Sequence, residues 1–432
     1  MGMVRRRALV VGLAGLMAAC AGPNPGGGPS TPTPQPVRTS PPLLPTVPPP
    51  TAAPTTPPAP TPPPAPSPTP APAPPPPPPT PTPAASDQVA LNIRLWNGSA
   101  EVQLDGQTVQ PGQVMVPSGE HQVAALVDDE PVAIVDAPAE GGAVDLVVPP
   151  PLASLAIMVE NQADARPQTG LTQADVVYEA LAEGGITRFI ALYLSGDAPV
   201  VGPVRSLRHY FAFMAADYGA DVVHIGASPE GFAWRDAMHM GHLDESAGDP
   251  GVWRVRTRPP PHNAYTDTAA DRRFLRNLGW QRNRGWGPLL FSDSAAHGEE
   301  AANSINLRFR PWAYRVDYAW DAASGRYLRA MEGSPHRDAA SGEQIAPATV
   351  VVQFAEVDPI PNDDKLRLEV NLVGGSGDLL VFSNATRREG TWSKGAPTDA
   401  TQWLDQAGQP MVIPPGPVWV EIVPLDSPVA SG

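Results

Sequence analysis

Arg205, Arg208 and His209 stand at i, i+3 and i+4 just after Gly202-Pro203, at the head of a stretch with helical periodicity. On a helix over Arg205 to Tyr218, the apolar stripe would be Leu207, Tyr210, Phe211, Met214 and Tyr218. The two arginines and His209 would then be neighbours on the opposite side. A helix start has free N–H groups and partial positive charge, so cations placed there need a reason. One reason is an anionic ligand. The other is a solvated face, or pairing with carboxylates such as Glu183 or Asp175. Arg188, which opens a strand after Gly184-Gly185, points to the same region.

Further polar residues fall where α/β scaffolds gather ligands. His224 and Ser228 follow an apolar strand in His224-Ile-Gly-Ala-Ser228-Pro-Glu-Gly. A nucleophile elbow would read Gly-x-Ser-x-Gly, and Glu230 stands in the last place. Ser228 therefore reads first as a helix N-cap, with Pro229 as the first helical residue. Pro261-His262-Asn263-Ala264-Tyr265 is a loop whose side chains either clamp the loop or line a pocket. His239 and His242, near Asp244 and Glu245, have a spacing that could hold a metal, but Gly241 interrupts any helix there. No metal is assigned. No glycine spacing matches a Walker or dinucleotide loop, so no cofactor is expected.

The elements that would position these residues begin at Ser154. Leu155 to Val159, Phe189 to Leu194 and Val222 to Ile225 read as strands. Helices are predicted over Thr172 to Leu181, Arg205 to Tyr218, Asp267 to Leu278 and Ser292 to Asn303. From Arg315 onward strands dominate, at Ala348 to Val357, Leu366 to Leu372, Asp378 to Phe382 and Val418 to Val423. Before Ser154, Asp87 to Pro149 alternates apolar and polar residues around an Asp105-Gly106 hairpin turn. It carries ten acids against Arg94. Its Val102-Gln-Leu-Asp-Gly-Gln and Pro117-Ser-Gly-Glu-His-Gln-Val segments resemble small PEGA-type β modules, which implies an accessory unit without chemistry.

The first 86 residues are of a different kind. Met1 to Arg7 is basic and Ala8 to Ala19 is a short apolar run, as in a secretory signal. Leu16-Met17-Ala18-Ala19-Cys20 resembles a bacterial lipobox, so Cys20 is expected to carry lipid. Cys20 is the only cysteine of the 432 residues, which excludes internal disulfides and a thiol nucleophile in the folded part. Pro23 to Ala85 is about half proline and reads as an extended tether, able to span on the order of 200 Å at ~3.1 Å per residue. A formal net charge of −15 argues against a nucleic-acid partner.

A resemblance covers Leu152 to Pro424. Ala156-Ile-Met-Val-Glu160-Asn161, Ala165-Arg-Pro-Gln-Thr-Gly-Leu171, Ala174-Asp-Val-Val-Tyr-Glu179 and Glu183-Gly-Gly-Ile-Thr-Arg-Phe189 follow in order. Gly202-Pro-Val-Arg-Ser206, His224-Ile-Gly-Ala-Ser-Pro229, Pro261-His-Asn-Ala-Tyr265, Glu389-Gly-Thr-Trp-Ser-Lys394 and Trp419-Val-Glu-Ile-Val-Pro424 continue the series. Together they resemble the YerB family of bacterial lipoproteins, a tandem domain of unknown function. The resemblance implies lipoprotein placement and a two-part architecture, and no reaction.

The expected fold is multi-domain, α/β plus β. A signal over residues 1–20 and a tether over 21–86 precede a small β-sandwich module over 87–150. A central α/β domain over 151–315 and a mainly antiparallel β domain over 316–425 follow. The expected function is a lipid-anchored, extracytoplasmic binding or scaffolding protein. Its partners would be the membrane and an anionic envelope ligand or glycan, held by Arg188, Arg205, Arg208, His209, His224, Ser228, His262 and Asn263. The alternative is an envelope enzyme acting on a phosphate-linked lipid or glycan, by fold-level analogy with LytR–CpsA–Psr transferases.

Overall fold

The computed structural model describes residues 88–280, 284–310, 315–361, 363 and 365–432. Cys20, the signal segment and the proline-rich tether lie outside the described residues. The described part is β-rich, with three α-helices among its residues, all between His209 and Asn277.

One long sheet runs through both halves of the region after Ser154. Its strands are β1 (Leu155–Glu160), β2 (Val176–Leu181), β3 (Thr187–Tyr193), β4 (Asp221–His224), β5 (His242–Asp244), β6 (Thr349–Ala355), β7 (Ser376–Ser383), β8 (Thr386–Ser393) and β9 (Val418–Pro424). The spatial order is β5-β4-β1-β3-β2-β9-β6-β7-β8, with Glu300–Ala301 and Gln402–Asp405 both pairing with β8 at the far edge. The N-terminal and C-terminal halves meet where β2 and β9 pair in parallel. β3 runs antiparallel to β1 and β2, while β4 and β5 run with β1. The carboxyl ends of β1, β2, β4, β5, β6 and β9 therefore share one edge with the amino end of β3.

Both faces of the central strands β1, β2, β3, β6 and β9 are covered, so these are nearly continuous apolar runs. On one face lie α1 (His209–Asp217) and residues such as Val370, Trp392 and Trp403. On the other lie α3 (Thr268–Asn277), through Leu275, and a second sheet built from Ser304–Arg308, Arg315–Asp321, Arg326–Met331 and Val429–Ser431. The small module before Pro149 has two sheets, of three and four strands, enclosing Leu91, Ile93, Val102, Val123, Val144 and Leu146. Its Asp105-Gly106 turn has positive φ at both residues (50° and 77°), the geometry that favours a tight hairpin. Asn97 fastens the module, donating to the Leu289 carbonyl at 2.8 Å and accepting from the Phe291 amide at 2.7 Å.

Three helix expectations are corrected. Thr172 to Leu181 is a single turn at Leu171–Gln173 followed by strand β2. Every β2 residue is buried, and a run buried on both faces has no periodicity to separate strand from helix. Ser292 to Asn303 forms no helix. There the chain lies so close to β8 that any side chain at Gly298 would collide with the Arg387 carbonyl. The third helix starts at His209, not Arg205. Arg205 N–H donates to Met158 and Leu207 N–H to Gly226, which holds the intervening residues extended. Asp267 to Leu278 agrees within a residue with α3.

The seam between the halves contains ionisable groups cut off from water. Glu179 on β2 and Glu421 on β9 are register partners, both fully buried. Arg329 donates to Glu179 and, at 3.2 Å, to the Tyr318 hydroxyl. Its guanidinium lies 4.6 Å from the Trp419 ring centre. Tyr318 donates to Glu421 at 2.5 Å. Two carboxylates against one guanidinium would leave an excess negative charge, and burial together with Glu179 pushes the Glu421 carboxyl well above its ordinary range. Glu421 is therefore held neutral. Its Oε2 accepts no other hydrogen bond, and as a protonated carboxyl it can donate to Glu179.

The native state thus retains a Glu421 proton that the unfolded chain releases above about pH 4.5. This contribution is complete below that pH and declines as pH rises towards the folded value. Glu421→Gln should remove the decline, so the variant's urea midpoint should gain on wild type between about pH 5 and 8. Arg329→Met should cost about 3–5 kcal/mol, because the buried Glu179 would lose its guanidinium partner.

Candidate functional site

The shared edge gathers several of the expected residues around two glutamates. Glu160 ends β1 and Arg188 is its register partner on β3, so their side chains leave the sheet on the same face. Arg188 is buried, donating to Glu183 at 2.8 Å and to the Ser206 carbonyl at 2.8 Å. Arg208, the N-cap residue of α1, donates to the same carboxylate at 2.7 and 3.1 Å and to the Leu207 carbonyl. Partial burial works to raise the Glu183 pKa. The two arginines and the hydrogen bonds outweigh it and hold the carboxyl down at about 2.

Glu160 holds the second group. Its Oε1 accepts from Arg205 at 2.7 Å and its Oε2 from His262 Nδ1 at 2.9 Å. The Arg205 side chain is 25 % exposed, yet its Nε is buried with no partner. Arg188, Arg205, Arg208 and His262 are thus brought to one edge by two carboxylates. The sequence offers Glu183 as a partner for these arginines. Glu160 is an addition from the structure, although a glutamate closing an otherwise apolar strand is a readable signal.

The other candidates lie near by but face inward. His209 is buried, its Nε2 bonded to Glu369 at 2.7 Å. His224 is fully buried, with Nδ1 on the Gly226 carbonyl at 2.9 Å. Burial lowers its pKa to about 4 despite Asp244, so it is neutral. Ser228 Oγ accepts from the Gly231 amide and caps α2 (Pro229–Ala237), with Pro229 in its first turn. Asn263 is spanned by the Val255 carbonyl and Arg254. Among the described residues, no group of three or more His, Cys, Asp or Glu side chains is placed to hold a metal.

The C-terminal half reaches this edge through the hairpin Val357–Pro359 and Leu368–Val370. Glu369 meets His209, Arg367 donates to Glu230 on α2 at 2.8 Å, and the Leu366 carbonyl accepts from Gly184. Nothing in the sequence connected residues so far apart.

Because Glu183 is depressed in the folded state, its stabilisation is present above about pH 4.5 and is lost as pH falls towards 2. Glu183→Gln should therefore destabilise the protein by about 2–3 kcal/mol at neutral pH. Chemical denaturation at stepped pH should show the gap between variant and wild type closing as the solution is acidified.

Residues 149–281 match the family described as "Protein of unknown function (DUF3048) N-terminal domain", and residues 305–420 match its C-terminal domain. The chain is 31% identical over 277 residues to the Bacillus subtilis (strain 168) protein named "Putative lipoprotein YerB", covering 62% of this chain and 81% of that one. The crystal structure of YerB superposes with a TM-score of 0.57 at 28% identity, over 65% of this chain and 94% of that chain. This chain belongs to the YerB-like, DUF3048 family of uncharacterised proteins.

Proposed function

We propose that this protein is lipid-anchored through Cys20, stands outside the cytoplasm, and binds an anionic envelope ligand at the edge occupied by Arg205. The anchor reading is supported by the lipobox-like Leu16 to Cys20 segment and by the name of the Bacillus relative. Among the described residues no helix is long and apolar enough to cross a membrane.

Arg205 carries the binding reading. The donors of Arg208 that its contacts account for are spent on Glu183 and Leu207. Arg205 gives one bond to Glu160 and keeps a buried Nε–H without an acceptor. A quarter of the Arg205 side chain is open to solvent, and among the described residues its charge there is matched only by the carboxylate that it shares with His262. A phosphate or carboxylate can take two guanidinium N–H groups at once.

Two measurements test the proposal. Cys20→Ala should release the protein from the membrane fraction or leave it unprocessed, and normal processing with unchanged retention would exclude the anchor. Titration calorimetry of the purified full chain with pyrophosphate should show binding that weakens roughly tenfold or more in Arg205→Gln, the loss of one charge-assisted hydrogen bond. Arg208→Gln should instead lower the thermal midpoint and leave binding unchanged. Stability loss in Arg205→Gln with no change in binding would make Arg205 purely structural.

A further inference from the structure

We infer that His262, oriented by Glu160, is a general base that cleaves a phosphodiester held by Arg205. The inference rests on the anion-binding reading of Arg205 and adds a reaction to it.

The tautomer follows from the partners. A carboxylate oxygen accepts, so with Glu160 Oε2 as acceptor His262 Nδ1 carries the hydrogen and Nε2 presents a lone pair. No described residue donates to or accepts from Nε2, and the ring is 8 % exposed, so a narrow edge of it meets solvent. Its base is rigid. The Glu160 amide donates to Pro203, its carbonyl accepts from Gln168, and the His262 amide donates to Pro259. A carboxylate fixing Nδ1–H while Nε2 stays free is the arrangement that lets an imidazole accept a proton from a nucleophile.

His209 also has one ring nitrogen on a glutamate and the other without a partner, but that second nitrogen, Nδ1, is sealed from solvent. Two further histidines are bonded or enclosed differently. His336 has both ring nitrogens bonded, one to Arg329 and one to Gln168, and is buried. His224 has no exposed surface and is bonded to Gly226. His262 shares its carboxylate with a partly exposed arginine, so base and anion-binding group lie within one side chain of each other.

The substrate class follows from the charges. An anionic ester gives Arg205 a partner before and after cleavage, which a neutral carboxylic ester does not. Exposed Arg256 lies just beyond Val255, whose amide donates to the Asn263 carbonyl beside His262. A second cation along the same loop suits a diester within a longer anionic chain. In the step, a water oxygen bonds to phosphorus and its proton passes to His262 Nε2. The phosphorus–alkoxide bond breaks, and the leaving oxygen takes the proton back from His262. Water is consumed, with no change of oxidation state.

The test uses the full chain, bis(4-nitrophenyl) phosphate as substrate and pyrophosphate as binding probe. Wild type should release nitrophenolate with a rate that rises with pH to a plateau. His262→Gln should lose roughly a hundredfold or more of that rate and bind pyrophosphate within threefold of wild type. If that variant does not fold, Glu160→Gln serves instead. It should retain slow cleavage with the rising limb moved to lower pH, because a neutral amide no longer favours the protonated ring. Pyrophosphate binding without cleavage by wild type, or an unchanged rate in His262→Gln, would overturn the inference and leave the binding reading standing. No pyrophosphate binding by wild type would overturn both.

Discussion

The buried contact of Arg329 with Glu179, beside a protonated Glu421, is the constraint on which the rest of this structure leans. Such groups do not repay their desolvation by much, so stability is a poor explanation for them. Register is a better one. Successive strand residues face opposite sides, so a one-residue slip of β2 against β9 would turn Glu179 into the apolar layer that holds Tyr178 and Ala180. Arg329 would then be left buried without its anion. The two halves can join through β2 and β9 in one alignment only.

That alignment propagates to the candidate site. Asn161 donates to Glu179 and accepts from Gln168, and Gln168 also donates to the Glu160 carbonyl. His336 links Gln168 back to Arg329. The end of β1 is therefore fixed from beneath by the seam. Glu160 can hold Arg205 and His262 in place because its own backbone has no freedom.

Much of the scaffold was legible in the sequence, for physical reasons that also explain the failures. Leu155 to Val159, Phe189 to Leu194 and Val418 to Val423 are short, β-branched or aromatic runs, and they are strands. Val176 to Leu181 has the same character, but its burial on both faces leaves no periodicity to tell strand from helix. Only the tertiary partner, Arg329, makes a glutamate there tolerable. Arg205 and Arg208 were legible as a cluster. Their separation into a bound arginine and a partly free one was not, since it depends on cross-strand bonds from Met158, Gly226 and Ile225. Ser228 was legible in full, because capping is local chemistry.

The placement of the site also bears on why the two halves occur in tandem. Arg188, Arg205 and Arg208 belong to the first half, and each has its carboxylate there. Yet His209 and Glu230, on the two helices that begin at this edge, are met by Glu369 and Arg367 of the second half. Contact at the edge and contact at the seam join the same two halves at separate places along the sheet. Glu183 pairs with Arg188 and Arg208 next to Gly184, whose amide donates to the Leu366 carbonyl of the second half. Residues that hold the halves together and residues that face the ligand are in this way parts of a single bonded structure, and neither half alone contains it.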